Sequence, residues 1–101
     1  MKRVRMVVSY DGTAYRGWQL QPNGITIEEV LNRELTALLK EPISVIGASR
    51  TDSGVHARGN IVVFDTENRM PADKICFALN QRLPEDIRVQ RSEAVSYTHL
   101  R

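Results

Sequence analysis

The amino-acid sequence predicts an α+β domain in which four strands form one antiparallel sheet and two helices pack on one face of it. Three observations support this prediction: an alternating apolar run near the N-terminus, two stretches with helical spacing of apolar residues, and β-branched runs between and after them. In chain order these segments are β-α-β-β-α-β. A length of 101 residues with 42% apolar content suits one compact domain with its own core.

The first strand and the first helix each show one apolar face. Residues 3–10 alternate between the two faces of a strand, with apolar side chains on one of them. Residues 11–24 contain three glycines and no apolar period, which indicates an ordered loop. Thr26 predicts a helix start, because Glu29 completes the spacing of a capping box, and the helix should end near Pro42. Its predicted apolar stripe consists of Ile27, Val30, Leu31, Leu35, Leu38 and Leu39.

The segments after this helix complete the order. The β-branched run 43–48 and the apolar run 59–65 predict two strands joined by the loop between them. Pro71 opens a second helix and Pro84 stops it. Ile87 and Val89, with Val95 further along the chain, predict a last strand. This is the order of the ferredoxin-like split unit, whose four-stranded antiparallel sheet has two helices on one face and leaves the other face free.

Composition limits the classes of function. A formal charge of +2 and a pI near 9.0 favour anionic partners, although so small an excess does not by itself indicate nucleic-acid binding. The single cysteine, Cys76, can form no internal disulfide and suits a small buried residue in a protein of the reducing cytoplasm. No stretch approaches the roughly 20 apolar residues of a membrane span. We expect a soluble, cytoplasmic protein.

The segment Arg50-Thr51-Asp52-Ser53-Gly54-Val55-His56-Ala57 is the strongest candidate for chemistry. It places a short carboxylate, Asp52, beside a guanidinium and a glycine in a loop between two predicted strands. Arg50 and the backbone N–H groups after Asp52 would keep the carboxylate ionised, because a nearby cation and hydrogen bonds to the anion lower a carboxyl pKa. Gly54 permits an unusual φ and a close approach of substrate. Taken alone, residues 51–54 also suit an ordinary tight turn.

This segment, together with the residues 47–49 before it and 59–64 after it, resembles the catalytic loop of the tRNA pseudouridine synthase A family, Gly-Arg-Thr-Asp-Ala-Gly-Val-His-Ala. Ser49 replaces the first glycine and Ser53 replaces the alanine. The stretch Tyr10-Asp11-Gly12-Thr13-Ala14-Tyr15-Arg16-Gly17-Trp18-Gln19-Leu20-Gln21 resembles the N-terminal signature of the same family.

The resemblance runs from about Val4 to Val95, and such enzymes are much longer, so the chain resembles an N-terminal half. Residues 1–95 would form the domain that bears the catalytic aspartate. The tail over 96–101 is predicted to be non-native.

The resemblance implies isomerisation of uridine to pseudouridine in the anticodon stem-loop of tRNA, by a protein that acts as a homodimer. Asp52 would be the nucleophile, and Arg50 would fill the space left by the extruded uridine or contact its phosphate. The candidate RNA-binding residues are Arg50, His56 and Arg58, and the expected neighbours of the cleft are Tyr10, Asp11, Gly12, Thr51, Ser53 and Gly54. Sequence does not decide whether the carboxylate adds to uracil C6, attacks ribose C1′, or removes a proton beside C1′ to give a glycal.

We predict no metal and no cofactor. Asp52 and His56 are four residues apart, but Gly54 between them argues against a helix that would aim both at one metal ion. The glycines lack the spacing of a nucleotide-binding fingerprint. The isomerisation is redox-neutral, so it requires no electron carrier.

Two other classes of function fit part of the sequence. The triplet 52–54 matches the Asp-Ser/Thr-Gly of aspartic proteases, but their fold is almost wholly β and the helical stripe contradicts it. A non-catalytic RNA-binding module of ferredoxin-like fold is the more serious rival, although the two central runs contain Phe64 as their only aromatic residue for base stacking. In the family a second half closes the cleft, so we expect the chain as given to fold, to lack catalysis and to retain weak, salt-sensitive RNA affinity.

Overall fold

The structure, a computed structural model, describes residues 1–12, 25–47 and 57–95. Its elements are β1 (Lys2–Tyr10), α1 (Ile27–Leu39), β2 (Ile46–Gly47), β3 (Ala57–Thr66), α2 (Ala72–Asn80) and β4 (Ile87–Val95). The predicted order β-α-β-β-α-β is confirmed. The four strands form one sheet in the order β2-β3-β1-β4, and every neighbouring pair is antiparallel. This is the predicted ferredoxin-like topology. Its two longest strand pairings are those that β1 forms with β3 and with β4.

The hydrophobic core lies between the sheet and the two helices. Alternate residues of β1 and β3 point into it, because successive side chains of a strand face opposite sides. Both helices contribute the apolar stripes expected from their spacing, and Cys76 of α2 is a buried free thiol, as predicted. The fully buried side chains of the core include Val4, Met6, Val8, Ile27, Leu31, Leu35, Val62, Ile75, Leu79 and Ile87.

Helix α1 begins and ends with defined caps. The Thr26 side chain accepts a hydrogen bond from the Glu29 backbone N–H at 3.3 Å, which confirms the predicted N-terminus. At the other end Lys40 has a φ of 57°, and its N–H donates to the Thr36 carbonyl at 2.9 Å. A left-handed residue at this position ends a helix by satisfying a carbonyl of its last turn.

Strand β2 is shorter than the predicted run 43–48. Side chains of α1 accept hydrogen bonds from the backbone in the first half of that predicted run. The Ile43 N–H donates to Thr36 Oγ1 at 3.1 Å, and the Val45 N–H donates to Asn32 Oδ1 at 2.8 Å. These groups are then not available for a ladder with β3. Pairing is confined to Ile46 and Gly47, and residue 48 lies outside the described part.

Polar side chains join α2 to the edge strand β4 at both ends of the helix. The Ser92 hydroxyl accepts from the Cys76 N–H at 3.0 Å and donates to the Ala72 carbonyl, so it stands between two groups that would otherwise bond to each other within the helix. The Asn80 amide donates to the Val89 carbonyl at 2.9 Å and accepts from the Val89 N–H at 2.8 Å. Helix α2 and strand β4 therefore form one connected unit.

The face of the sheet opposite the helices is mixed in character. Val7 at its centre pairs with Ile61 of β3 and Arg91 of β4. Two arginines of β1 form ion pairs across the strands: Arg3 binds Asp65 of β3 through two bonds of 2.7 and 3.0 Å, and Arg5 binds Glu93 of β4, with its Nε at 3.1 Å.

Candidate active site

Both predicted motifs attach to the same end of the sheet. Tyr10, the last residue of β1, is the cross-strand partner of Ala57, the first residue of β3. The candidate loop over 48–56 leaves the sheet after Gly47 and returns at Ala57. The N-terminal motif leaves β1 directly after Tyr10. The register of the described strands thus brings the two motif segments to the same end of the sheet, although they are far apart in sequence.

The three described residues of the N-terminal motif have different surroundings. The Tyr10 side chain is 5% exposed and belongs to the hydrophobic core, so it supports this end of the sheet from beneath. Asp11 is exposed, and its backbone N–H donates to the Asp86 carbonyl at 2.9 Å. Gly12 is buried. Of these three residues, Asp11 is the exposed one, and it lies at the end of the sheet where β3 begins with Ala57.

The remaining candidate site residues lie outside the described residues. These are the proposed nucleophile Asp52 and its expected neighbours Arg50, Thr51, Ser53, Gly54 and His56. Arg58 is placed by its backbone as the second residue of β3, directly after Ala57. The catalytic and RNA-binding roles given to these residues stay predictions.

A β-bulge lies where β3 leaves the candidate loop. Val8 pairs with Asn60 and Tyr10 pairs with Ala57, so two steps along β1 correspond to three along β3, and β3 contains one extra residue. Bulges bend a strand and increase its twist, and they are common beside active sites. Asn60 is 4% exposed, so three residues after Ala57 the side chain of β3 already faces the core side of the sheet.

The turn between α2 and β4 also reaches this end of the sheet, and sequence reasoning did not select it. The 83–87 turn presents the Asp86 carbonyl to Asp11, and Ile87 is the cross-strand partner of Tyr10. The side chain of Arg88 folds back onto the turn, with its Nη1 3.0 Å from the Pro84 carbonyl oxygen. The only sequence signal for this turn was the proline that stops the second helix.

Glu93 and Glu41 each have a lowered pKa, and both lie away from this end of the sheet. The pKa of Glu93 is below its ordinary value because Arg5 donates a hydrogen bond to it and places a positive charge beside it. The pKa of Glu41 is lowered by hydrogen bonds from the Thr66 hydroxyl, at 2.6 Å, and the Glu67 N–H, at 3.0 Å.

The described ranges contain no metal-binding cluster and no membrane-spanning helix. Among residues 1–12, 25–47 and 57–95, no group of three or more histidine, cysteine, aspartate or glutamate side chains could hold a metal ion. Within the same part of the chain, no helix is both long and apolar enough to cross a membrane.

Comparison with known proteins identifies the family. A family model described as tRNA pseudouridine synthase matches residues 6–100, a range that includes both motifs. The chain belongs to the tRNA pseudouridine synthase family. The resemblance predicted from the two motifs is confirmed.

Individual relatives support the same assignment. The protein named tRNA pseudouridine synthase A from Ruminiclostridium cellulolyticum is 46% identical over 95 residues, which are 94% of this chain and 39% of that protein. Proteins of the same name from Geobacter sulfurreducens and Exiguobacterium sibiricum are 46% and 47% identical over 92% and 95% of this chain. The chain spans 38% and 39% of the length of those two relatives.

Proposed function

We propose that this chain is the aspartate-bearing domain of an enzyme that isomerises uridine to pseudouridine in tRNA. The observation that supports this most is the family match over 6–100, which includes the Arg50–Ala57 segment in full. The names of the relatives support tRNA as the substrate. The pairing of Tyr10 with Ala57 adds a structural reason, since it attaches the second motif beside that segment.

In the proposed reaction the bond from ribose C1′ to uracil N1 breaks, the base turns over, and C5 joins C1′. The proton on C5 is lost and N1 gains one, so atoms and electrons balance without an oxidant or a reductant. Asp52 would act as an ionised carboxylate by one of three routes: addition to C6, attack on C1′, or removal of a proton beside C1′ to give a glycal. All three require that the carboxylate reach a base or sugar turned out of its helix.

Turning out the target nucleotide costs a few kcal/mol, which contacts to phosphate would offset. Arg50, His56 and Arg58 are the proposed contacts. We place the target in the anticodon stem-loop and expect the full-length enzyme to act in the cytoplasm as a homodimer. The target site, the cellular location and the dimeric state are inferred from the family resemblance.

The described residues disfavour the rival function, a non-catalytic module that stacks bases on its sheet. Phe64, the aromatic residue of the two central runs, is 2% exposed and faces the helices. The other aromatic residue in the described strands, Tyr10, is buried on the same side. Base stacking requires aromatic rings on the open face, and these strands supply none. The protease alternative is contradicted by α1 and α2, since that fold is almost wholly β.

Tritium release from C5 of uracil tests the proposal directly. The substrate is an unmodified tRNA transcript, and the protein is this chain extended to the full length of its relatives. We expect release by the unsubstituted protein and at least a thousand-fold less, roughly, by Asp52→Asn, because the amide cannot act as nucleophile or base. Asp73→Asn, at an exposed position of α2, is the matched control and should keep full activity.

The outcomes separate the two functions. Loss of release in Asp52→Asn alone would support pseudouridine chemistry centred on that carboxylate. No release from the unsubstituted protein, with a folded circular dichroism spectrum and measurable RNA binding, would favour the binding module instead.

A further inference from the structure

We propose that Arg88 is a positioning residue of the active-site end of the sheet. Its guanidinium holds the 83–87 turn in the shape that presents the Asp86 carbonyl to the N–H of Asp11. This inference rests on the function proposed above, because it concerns the end of the sheet to which both motifs are attached. It gives a role in the reaction to a residue outside both motifs.

The side chain of Arg88 contacts several backbone carbonyls of the 83–87 turn. Its Nη1 lies 3.0 Å from the carbonyl oxygen of Pro84, 3.0 Å from that of Ile87 and 3.5 Å from that of Leu83. A guanidinium suits this task because it is planar, always charged and has several donors in fixed directions. Charge-assisted bonds of this kind are stronger than neutral ones. The two N–H groups of Nη1 therefore bind the Pro84 and Ile87 carbonyls, and the Leu83 carbonyl lies at the limit of hydrogen-bond distance from the same nitrogen.

The 83–87 turn supplies a hydrogen-bond acceptor for the backbone of Asp11. The Ile87 N–H donates to the Pro84 carbonyl at 3.2 Å and closes the turn. Within this closed shape the Asp86 carbonyl accepts from the Asp11 N–H at 2.9 Å. Opening the turn would remove this acceptor, and the backbone of Asp11 would lose a bond that fixes where the chain leaves β1.

Asp11 is connected to the candidate loop through Tyr10 and its partner Ala57. Asp11 directly follows Tyr10, and Tyr10 is the cross-strand partner of Ala57, where the loop with Asp52 returns to the sheet. A shift of Asp11 is thus a shift at the anchor shared by both motifs. Displacement of reacting groups by about 1 Å can reduce a rate about a hundred-fold, so such an anchor can affect turnover without contacting RNA.

A competing explanation is that the charge of Arg88 attracts RNA, and Arg91 provides the control for it. Arg91 is an exposed arginine three positions further along β4. Within the described residues it forms no hydrogen bond to the 83–87 turn. Replacing Arg91 removes the same charge from the same strand and leaves the turn intact.

The test compares Arg88→Gln, Arg88→Lys and Arg91→Gln in the full-length protein. Hydrogen exchange of the Asp11 amide measures the positioning, and kcat and KM for tritium release measure its effect on the reaction. We expect Arg88→Gln to exchange the Asp11 amide about ten-fold faster and to lower kcat about ten-fold, with core amides of β1 unchanged. Arg91→Gln should leave the Asp11 exchange and kcat unchanged.

Arg88→Lys separates charge from geometry, since lysine keeps the charge but not the planar set of donors. It should fall between the unsubstituted protein and Arg88→Gln in both readouts, and it also serves as the test variant if Arg88→Gln does not fold. The proposal is overturned if Asp11 exchange is unchanged in the Arg88 variants, or if Arg91→Gln lowers kcat as much as Arg88→Gln. Absence of tritium release from the unsubstituted protein would overturn the proposed function and with it the effect of Arg88 on the reaction, whereas the exchange experiment would still decide whether Arg88 holds Asp11.

Discussion

At the scale of single residues, the sheet face opposite the helices has ion pairs between positions that are distant in sequence. Arg3 and Asp65 are 62 residues apart in sequence, and Arg5 and Glu93 are 88 apart. The alternating pattern of β1 predicted that these arginines lie on the polar face. It could not name their partners, because a cross-strand partner is fixed by strand order and register, which local periodicity does not contain. The Thr26 cap was predictable, since its partner Glu29 lies within the same turn.

The Arg5–Glu93 pair leads to a prediction about pH. The pKa of Glu93 is lowered from 4.5 by the hydrogen bond from Arg5 and by its charge. The pair's contribution to stability is therefore fully present above pH 4.5 and is lost as the pH falls through the lower, folded-state pKa. Both side chains are more than 40% exposed, at 42% and 46%, so solvent screening keeps the effect small.

An NMR titration of the Glu93 carboxyl carbon measures this shift. We expect a midpoint below 4.5 in the unsubstituted protein and a return toward 4.5 in Arg5→Gln. Arg3→Gln is the matched control, since it removes an equal charge from the same strand but pairs with Asp65, and it should leave the Glu93 midpoint nearly unchanged. A Glu93 midpoint at or above 4.5 in the unsubstituted protein would contradict the prediction.

At the scale of elements, sequence predicted the existence and order of the secondary structure better than its limits. The apolar period of α1 and the alternation of β1 are local properties, and both elements formed where expected. The run 43–48 was predicted as a strand from its β-branched residues, but Asn32 and Thr36 of α1 take the N–H groups of its first half. Tertiary contacts of this kind override local propensity. The 83–87 turn was missed for the same reason, because its importance follows from contact with Asp11.

The end of α1 leads to a prediction about stability. Lys40 has a φ of 57°, a conformation that glycine adopts without the steric cost imposed by a Cβ. Lys40→Gly should raise the free energy of unfolding by about 0.5–1 kcal/mol, after the larger entropy of the unfolded glycine chain is subtracted. Urea denaturation measures the change. Lys40→Ala is the control, since it removes the same side-chain charge and keeps the Cβ, and a Lys40→Gly protein no more stable than Lys40→Ala would contradict the argument.

At the scale of the whole molecule, the described part of the sheet has helices on one face and no helix or strand on the other, and the candidate loop connects β2 to β3. The chain accounts for 39% of the length of the relative from R. cellulolyticum. A cleft that excludes water needs a second wall, because electrostatic stabilisation of a reacting group is strongest where water is excluded. The hydrophobic core of the described residues is nevertheless continuous, so folding of this chain does not need that second wall, whereas catalysis does.

We therefore predict that the 101-residue chain alone folds and binds tRNA weakly but does not release tritium from it. Fluorescence anisotropy with labelled tRNA at about 50 and 200 mM salt should show affinity that falls steeply with salt, as expected for binding through phosphates. Asp52→Asn should bind at least as well as the unsubstituted chain, since it removes a negative charge, whereas Arg50→Gln should bind less tightly and with a smaller salt dependence. Turnover by the isolated chain would contradict the prediction, and it would show that the residues from one half complete the catalytic site. Binding that does not change with salt would contradict the phosphate contacts, and the affinity would then have to come from contacts to the bases.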